Sequence, residues 1–275
     1  MTRLPFSCAC TLVLSLGSAL SFGSLGCDEA SSSAPAPSAT ASALAPPAPP
    51  PAPVASTPPA PKFVKRLATD CKPHVVDFGD DAVLEHEVRR KLGKDNGAIT
   101  PADLATIKSI NLASIAGQTL HQIDPCIFPM FTSLKDLFLG PGDYDDLTPI
   151  QKLTTIETLR ASLSQVKDLH AIEGLKRMDR LDLSHTLIGD DNMKSIGNLV
   201  NVTELMLDED SIADLTPIAN LKKLEKLSIK KTEVKNVVPL AGLKTLKILY
   251  IADTPVTDIT PVQPLVAHGM KLVQN

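Results

Sequence analysis

The chain has 275 residues, which is enough for one medium-sized domain or two small ones. Its hydrophobic content of 43% and charged content of 21% are typical of a globular protein. It has 27 Lys and Arg against 31 Asp and Glu, a net charge of −4, which argues against a nucleic-acid-binding protein. Aromatic residues make up 3% of the chain and Trp is absent, so few aromatic pockets for nucleobases or sugars can form.

The first residues have the features of an export signal. Arg3 precedes a mostly apolar stretch from Leu12 to Leu20, which is too short to span a bilayer but suits a signal peptide. The segment ends in Ser24-Leu-Gly-Cys27, which resembles the lipobox of bacterial lipoproteins, although Ser24 stands where Leu is commoner. The resemblance implies that residues 1–26 are removed and that Cys27 carries lipid. An ordinary secretory signal with a chance Cys is the alternative.

Residues 27–61 are predicted to be the lipidated Cys followed by a disordered linker. Between 30 and 61 the chain contains 11 Pro, 11 Ala and 6 Ser but no charged residue, so it cannot bury a core and should sample polyproline II and coil. At roughly 3.1 Å per residue it could extend about 100 Å. We therefore expect a protein of the bacterial cell envelope, anchored by lipid to a membrane and facing the periplasm or the cell exterior.

Residues 62–104 are predicted to form a helical N-terminal cap. Asp80 or Asp81 can begin a first helix, which Gly93 can end. Thr100 is followed by Pro and, three residues on, by Asp, which is typical of the start of a second helix.

A 22-residue repeat organises the rest of the chain, residues 105–275. Leu221 and Leu243 are 22 positions apart, and seven apolar columns keep this spacing through six units. The units begin at residues 131, 153, 175, 199, 221 and 243. The third is two residues longer than the others, and its excess lies between Ile188 and Ile196. A longer first unit precedes these six and a partial unit follows them.

The repeated pattern LxxLxxLxLxxxxIxxLxxI resembles the leucine-rich repeat family, and within it the 22-residue repeats of internalin-like proteins. The resemblance implies an α/β repeat solenoid with a parallel sheet on its concave face, short 3₁₀ turns on its convex face and a helical N-terminal cap. The family usually places Asn after each strand, whereas this column is Gly142, Ser164, Thr186, Asp210, Thr232 and Thr254. We expect the hydroxyl and carboxyl groups to bridge neighbouring coils, and the coil that contains Gly142 to be the least regular.

A mostly acidic column on the predicted convex face has two interpretations. It comprises Asp146, Asp168, Asp214, Asn236 and Asp258. Side chains of this type before a tight turn accept hydrogen bonds from exposed N–H groups. Calcium binding is the alternative, but adjacent coils place these groups in a line rather than around one point. Local capping is favoured, and no metal or cofactor is predicted.

Residues that alternate with the buried columns should face outward from the concave side of the sheet. Opposite charges on neighbouring strands are expected to pair, as Arg160–Asp182, Arg180–Glu204–Lys226 and Asp208–Lys230. Aromatic, Met and Arg residues are enriched in the cores of interfaces, and we predict that this face binds a protein. The candidate contacts are Phe138, Arg160, Arg180, Met206, Ile248 and Tyr250.

Cys71 and Cys126 are the only thiols besides Cys27 after the predicted cleavage site. An exported domain lies in an oxidising compartment, where an even number of Cys favours a disulfide. A Cys71–Cys126 bond would join the cap to the first coils. Two separate buried thiols are the alternative.

No pattern in the sequence predicts catalysis. The His residues lack metal-ligand spacing, and no phosphate-binding loop, nucleophile elbow or zincin motif occurs. Ser184 and His185 are adjacent, but nothing near them supplies an acid or an oxyanion hole. We therefore predict a non-enzymatic module that binds a protein partner through its concave face and contacts a membrane only through its lipid. The alternative is an enzyme or enzyme subunit that acts on envelope polysaccharide or peptidoglycan.

Overall fold

The computed structural model describes residues 63–113 and 119–275. Eight short parallel strands form one sheet, in which each strand pairs with the next strand along the chain. They are β1 Ser109–Asn111, β2 Asp136–Phe138, β3 Thr158–Arg160, β4 Arg180–Asp182, β5 Glu204–Met206, β6 Lys226–Ser228, β7 Ile248–Tyr250 and β8 Lys271–Val273. The predicted signal peptide, Cys27 and the predicted linker lie outside the described residues.

The sequence repeat sets the register of the sheet. Asp136 lies opposite Thr158, and Lys226 lies opposite Ile248, so each residue's neighbour across these strands is 22 positions away. The middle residue of β2 to β7 is always Leu, and none of these is more than 1% exposed. They are Leu137, Leu159, Leu181, Leu205, Leu227 and Leu249. Together with the other apolar columns they form one continuous core, which confirms the predicted leucine-rich repeat solenoid.

Two helices precede the repeats. The first, α1, spans Ala82–Leu92; the side chain of Asp81 accepts a hydrogen bond at its start, and Gly93 ends it in the left-handed conformation at φ 63°. The second, α2, spans Pro101–Thr106 and begins with a reciprocal capping box that involves Thr100. Both helices begin at the predicted Asp and Thr caps, and α1 ends at the predicted Gly.

A buried carboxylate and a disulfide hold the cap against the first coils. Glu87 of α1 is 1% exposed, and it accepts hydrogen bonds from the Arg90 guanidinium at 2.7 and 2.9 Å and from the backbone N–H of Asn111 in β1 at 3.0 Å. The structure joins Cys71 to Cys126 by a disulfide, with Cα atoms 5.1 Å apart. This bond connects the segment before α1 to the long coil between β1 and β2.

Polar contacts also tie the chain before α1 to that coil, through Gln122 and Asp124, and to the coil after β2, through Asp145. Lys65 Nζ lies 2.7 Å from the carboxylate of Asp145. The backbone N–H of Arg66 donates to Gln122 Oε1 at 2.7 Å, and the Gln122 amide donates back to the Arg66 carbonyl at 2.5 Å. The Arg66 guanidinium lies 3.0 Å from the mostly buried Asp124 carboxylate.

Short 3₁₀ turns lie on the side of each coil away from the sheet, as predicted. They span Thr148–Ile150, His170–Ile172, Thr216–Asn220, Val238–Gly242 and Thr260–Val262. A side-chain oxygen two residues before each turn accepts a hydrogen bond from the first N–H of the turn at 2.7 to 2.9 Å. The acceptors are Asp146, Asp168, Asp214, Asn236 and Asp258. Each capping interaction is local to its own coil.

The unit with two extra residues departs from this pattern. Its 3₁₀ turn, Asp190–Asn192, runs directly into the helix α3, Met193–Gly197. The added residues therefore provide a full helical turn where the 22-residue units have room only for a 3₁₀ turn. The last unit resembles it: the helix α4, Gln263–Ala267, leads into β8 at the end of the chain.

The column after the strands bridges neighbouring coils as predicted only between Thr186 and Asp210. The hydroxyls of Ser164, Thr232 and Thr254 donate at 2.7 to 2.8 Å to carbonyl groups three residues earlier in their own coils. These short side chains close their own turns instead of reaching the next backbone. Asp210 does span two coils, because its Oδ1 accepts hydrogen bonds from the N–H and hydroxyl of Thr186 at 2.8 and 3.0 Å.

Candidate functional site

The concave face of the sheet is less accessible to solvent than the alternation of inward and outward residues predicts. Thr158 is 6% exposed, Ser184 9% and Ser228 4%, although each lies in an outward column. These three small residues are therefore buried in spite of their outward positions, and the accessible surface consists mainly of the large side chains between them.

Four of the six predicted contacts line one hollow of about 270 Å³ on β2 to β5. These are Phe138, Arg160, Arg180 and Met206. Leu159 and Leu181 lie at its base, and three carboxylates, from Asp136, Asp182 and Glu204, also line it. The hollow therefore combines an apolar side chain at each end with alternating charges between them.

The two arginines are the outermost charges of the hollow. The side chains of Arg160 and Arg180 are 52% and 58% exposed, whereas those of Asp182 and Glu204 are 16% and 35% exposed. The Arg160 guanidinium also lies 5.5 Å from the centre of the Phe138 ring, which is within cation–π range. The two guanidinium groups of the hollow are thus more exposed to solvent than the carboxylates of Asp182 and Glu204 beside them.

The predicted charge pairs form in part. Arg160 and Asp182 approach to 3.9 Å and Arg180 and Glu204 to 3.7 Å. Asp208 and Lys230 pair at 3.1 Å. The predicted Glu204–Lys226 pair was wrong, because no contact within 4.0 Å joins these two charges although they lie in register. Lys226 instead lies on the same face as Ile248 of the next strand.

Ile248 and Tyr250 do not line the hollow. Both lie on β7, in register with Lys226 and Ser228 of β6, and two strand spacings beyond β5. Both are partly exposed. The six predicted residues therefore divide into a hollow on β2 to β5 and a separate pair on β7.

A polar network lies at the carboxyl ends of the central strands. Asp208 accepts hydrogen bonds from the Ser228 hydroxyl at 2.5 Å and from the backbone N–H of Lys230 at 2.8 Å. Close by, Asp210 is 3% exposed. The pKa of Asp210 is raised to about 7, chiefly by burial and also by the neighbouring carboxylates of Asp208 and Asp182, although the hydrogen bonds from Thr186 act to lower it.

The adjacent Ser184 and His185 are engaged separately. The Ser184 hydroxyl accepts a hydrogen bond from the Asp208 backbone N–H at 3.2 Å, and His185 Nδ1 lies 3.2 Å from the Glu209 carboxylate. In the described ranges no group of three or more His, Cys, Asp or Glu side chains could hold a metal ion. None of the helices within those ranges is long and apolar enough to cross a bilayer.

The in-register parallel sheet and the capped 3₁₀ turns together define a leucine-rich repeat fold. Internalin C2 from Listeria monocytogenes superposes with a TM-score of 0.56 at 26% identity, over 71% of this chain and 93% of that one. Another internalin of that organism, inlF, gives a TM-score of 0.58 at 24% identity, over 71% of this chain and 62% of that one. A leucine-rich repeat protein from Leptospira interrogans gives 0.49 at 19% identity, over 62% and 49% of the two chains. No protein-family model and no curated protein sequence matches the chain.

Sequence analysis missed part of the site. Asp136, Thr158 and Glu204 also line the hollow. They were not predicted as contacts, because the candidates were chosen from the outward residues by side-chain size and type alone. Asp136 and Glu204 lie in register with Thr158 and Arg180. Their shared register with Arg180 could therefore have predicted that they lie beside it. Nothing in the pattern indicated that Ile248 and Tyr250 would lie apart from the other four.

Proposed function

We propose that this chain is a lipid-anchored module of the bacterial cell envelope that binds another protein through its concave face without catalysis. The observation that carries the proposal is the hollow on β2 to β5, in which Phe138 and Met206 lie on either side of two exposed arginines. Repeat solenoids offer extended surfaces of this kind for binding. Proteins of one fold can differ in function, so the experiment tests the hollow itself.

Photo-crosslinking in intact cells tests the binding surface. The full-length protein is expressed in its native host cells with the photo-crosslinking amino acid p-benzoylphenylalanine in place of Phe138. A matched variant carries it in place of Val200, which is 51% exposed and does not line the hollow. We expect irradiation to give a discrete protein adduct from position 138 and none from position 200. Equal adducts from both positions, or none from position 138, would contradict the proposal.

The proposed anchor has its own test. Replacing Cys27 by Ser removes the thiol that would carry the lipid, and we expect Cys27→Ser to move the protein from the membrane fraction to the soluble fraction or to leave it unprocessed. A change of Cys8 to Ser, within the predicted signal peptide, is the matched control and should leave the fractionation unchanged. A correctly cleaved Cys27→Ser protein that stays on the membrane would show that the lipobox interpretation is wrong.

A further inference from the structure

We propose, on the basis of the proposed function, that the hollow recognises an extended segment of a protein that carries one acidic residue between two apolar ones. In this arrangement Arg160 and Arg180 bind the carboxylate, while Phe138 and Met206 contact the apolar side chains. Four properties of the hollow indicate this partner. They are the unused hydrogen-bond donors of the two arginines, the distance between these arginines, the apolar side chains at the two ends of the hollow and the carboxylates that line it.

The two guanidinium groups have donors to spare. Their nearest carboxylate contacts, at 3.9 and 3.7 Å, are longer than the roughly 2.7–2.9 Å of a charge-assisted hydrogen bond. Neither group donates a hydrogen bond to any described residue. By contrast, Arg89 and Arg90 of the cap donate to Glu85 and Glu87 at 2.7 to 2.9 Å. A ligand carboxylate can therefore bind Arg160 and Arg180 without first breaking a hydrogen bond.

The arginines are placed to bind one carboxylate together. Arg180 on β4 lies in register with Thr158, two residues before Arg160 on β3. Diagonal neighbours of this kind lie about 7–8 Å apart across a sheet, within reach of long side chains. The planar guanidinium group matches a carboxylate through two parallel hydrogen bonds, so both oxygens of one Asp or Glu side chain can be satisfied.

The apolar ends set the length of the segment. Phe138 lies on β2 and Met206 on β5, in the same outward column, so three strand spacings of about 4.8 Å separate them, roughly 14 Å in all. An extended chain advances about 3.3 Å per residue and shows every second side chain on one face. An acidic residue between the arginines would then place the side chains two residues before and after it near Phe138 and Met206. The predicted pattern is apolar-x-acidic-x-apolar.

The deeper carboxylates exclude a highly charged anion. Asp136, Asp182 and Glu204 line the same hollow as the arginines. A continuous polyanion, such as an acidic polysaccharide, would bring further negative charges against these three groups. A segment with a single carboxylate and neutral neighbours avoids this repulsion, which favours a protein partner over an anionic polymer.

Binding of synthetic peptides to the full-length protein tests the inference. The probe is the dye-labelled peptide GSLSESLSG, with GSLSQSLSG and GSSSESSSG as its matched partners, and fluorescence anisotropy measures Kd. We expect the Gln peptide to bind at least 10-fold more weakly than the Glu peptide, and the peptide without Leu to lose a similar factor. Raising NaCl from 50 to 500 mM should weaken only the Glu-containing peptides.

Variants of the protein assign the effect to the hollow. Arg160→Gln with Arg180→Gln should reduce the affinity for the Glu peptide to that for the Gln peptide. Arg177→Gln, at an exposed position outside the hollow, should leave the affinity unchanged. Equal binding of the Glu and Gln peptides would overturn the inference, and so would competition by polygalacturonate in the absence of peptide discrimination. If crosslinking from position 138 persists in either case, the proposed function stands and only the acidic partner is wrong.

Discussion

The buried carboxyl group of Asp210 behaves differently in the fold from a carboxyl group in water. One of its oxygens accepts two hydrogen bonds from Thr186, and the other, Oδ2, is buried with no partner among the described residues. An ionised carboxylate in such a place is costly because its charge is desolvated and one oxygen is unsatisfied. This position is also where the repeat family usually has Asn, whose amide is neutral.

The raised pKa of Asp210 predicts an unusual pH dependence of stability. Because the folded pKa of about 7 lies above the unfolded value of 3.8, the folded protein binds more protons between these values. Stability should therefore be greatest near pH 4, fall as the pH rises to about 7 and then level off. Asp210→Asn should remove this fall and raise the free energy of unfolding at pH 8 by roughly 1–3 kcal/mol. Urea denaturation at several pH values measures both effects.

Asp214→Asn is the control for this prediction. Asp214 is exposed, its pKa is lowered by hydrogen bonds from Thr216, and Asn performs the same capping role at position 236. The control should retain the loss of stability between pH 4 and 7. If both variants show the wild-type pH dependence, ionisation of Asp210 does not control it.

At the scale of a single coil, the sequence requires a Gly where two backbones meet. The N–H of Gly142 donates to the Leu163 carbonyl at 3.0 Å, and the N–H of Asp143 donates to the Leu120 carbonyl at 3.1 Å. Gly142 thus pairs by its backbone with both neighbouring coils. β2 keeps the regular register with β1 and β3, so the irregularity expected of this coil does not reach its strand.

Gly142→Ala should destabilise the protein by at least about 2 kcal/mol, because a Cβ there would overlap the Leu120 carbonyl oxygen. Gly174→Ala is the control, since its Cβ would meet nothing nearer than the Gln151 carbonyl oxygen at 4.0 Å. The control should change stability by about 0.5 kcal/mol or less. Chemical denaturation followed by circular dichroism compares the two, and similar losses would show that close approach at Gly142 is unimportant.

The alternation within each strand makes a second prediction at this scale. Leu227 is fully buried, and Leu227→Ala should cost about 2–5 kcal/mol through lost burial and the cavity left behind. Lys226→Ala changes the preceding, partly exposed residue and should cost roughly 0.5 kcal/mol or less. The same denaturation assay applies. Equal losses at the two positions would mean that the inward and outward faces are assigned the wrong way round.

At the scale of the whole molecule, the cap joins the repeats through the first coils, by a shared core and by the Cys71–Cys126 bond. Each coil contacts mainly its neighbours, so the stability of a solenoid is close to a sum over adjacent units. The Cys71–Cys126 bond spans 55 residues, and a disulfide that closes a loop of this kind typically contributes about 2–4 kcal/mol. The bond acts on the cap and the first coil, and the distant repeats do not share it.

Reduction of the disulfide should therefore loosen the cap first. We expect hydrogen exchange with reductant to become faster in residues 63–131 and to stay nearly unchanged from Leu153 onward. A Cys71→Ser, Cys126→Ser protein without reductant is the control and should show the same pattern. Uniformly faster exchange along the chain would contradict the nearest-neighbour account, and thiol titration that finds both Cys free in the exported protein would show that no bond forms there.

The 22-residue period was sufficient to predict the buried Leu columns and the register between neighbouring strands, whereas the parallel sheet was implied by the resemblance to leucine-rich repeats. Repeats whose apolar residues recur at one spacing bury them by stacking equivalent positions on one another. The spacing of the pattern therefore predicts which residues of neighbouring strands lie opposite each other. The caps of α1 and α2 and the Asx acceptors of the 3₁₀ turns were equally predictable. Each of these depends on hydrogen bonds between residues only two or three positions apart.

The tertiary structure alone decided which outward residues share a hollow. It also decided which residues other than Gly adopt a left-handed backbone conformation. Five residues after the strands adopt left-handed φ values of 54° to 61° although none is Gly. They are Leu163, His185, Glu209, Lys231 and Asp253. Four of them donate N–H groups at 2.8 to 2.9 Å to carbonyls of the next coil, and these bonds offset a local cost of about 1–2 kcal/mol per residue. Likewise, Phe138 and Met206 belong to one hollow only because β2 to β5 stack side by side. Local sequence determines local geometry, whereas contacts between coils depend on how all of the repeats pack.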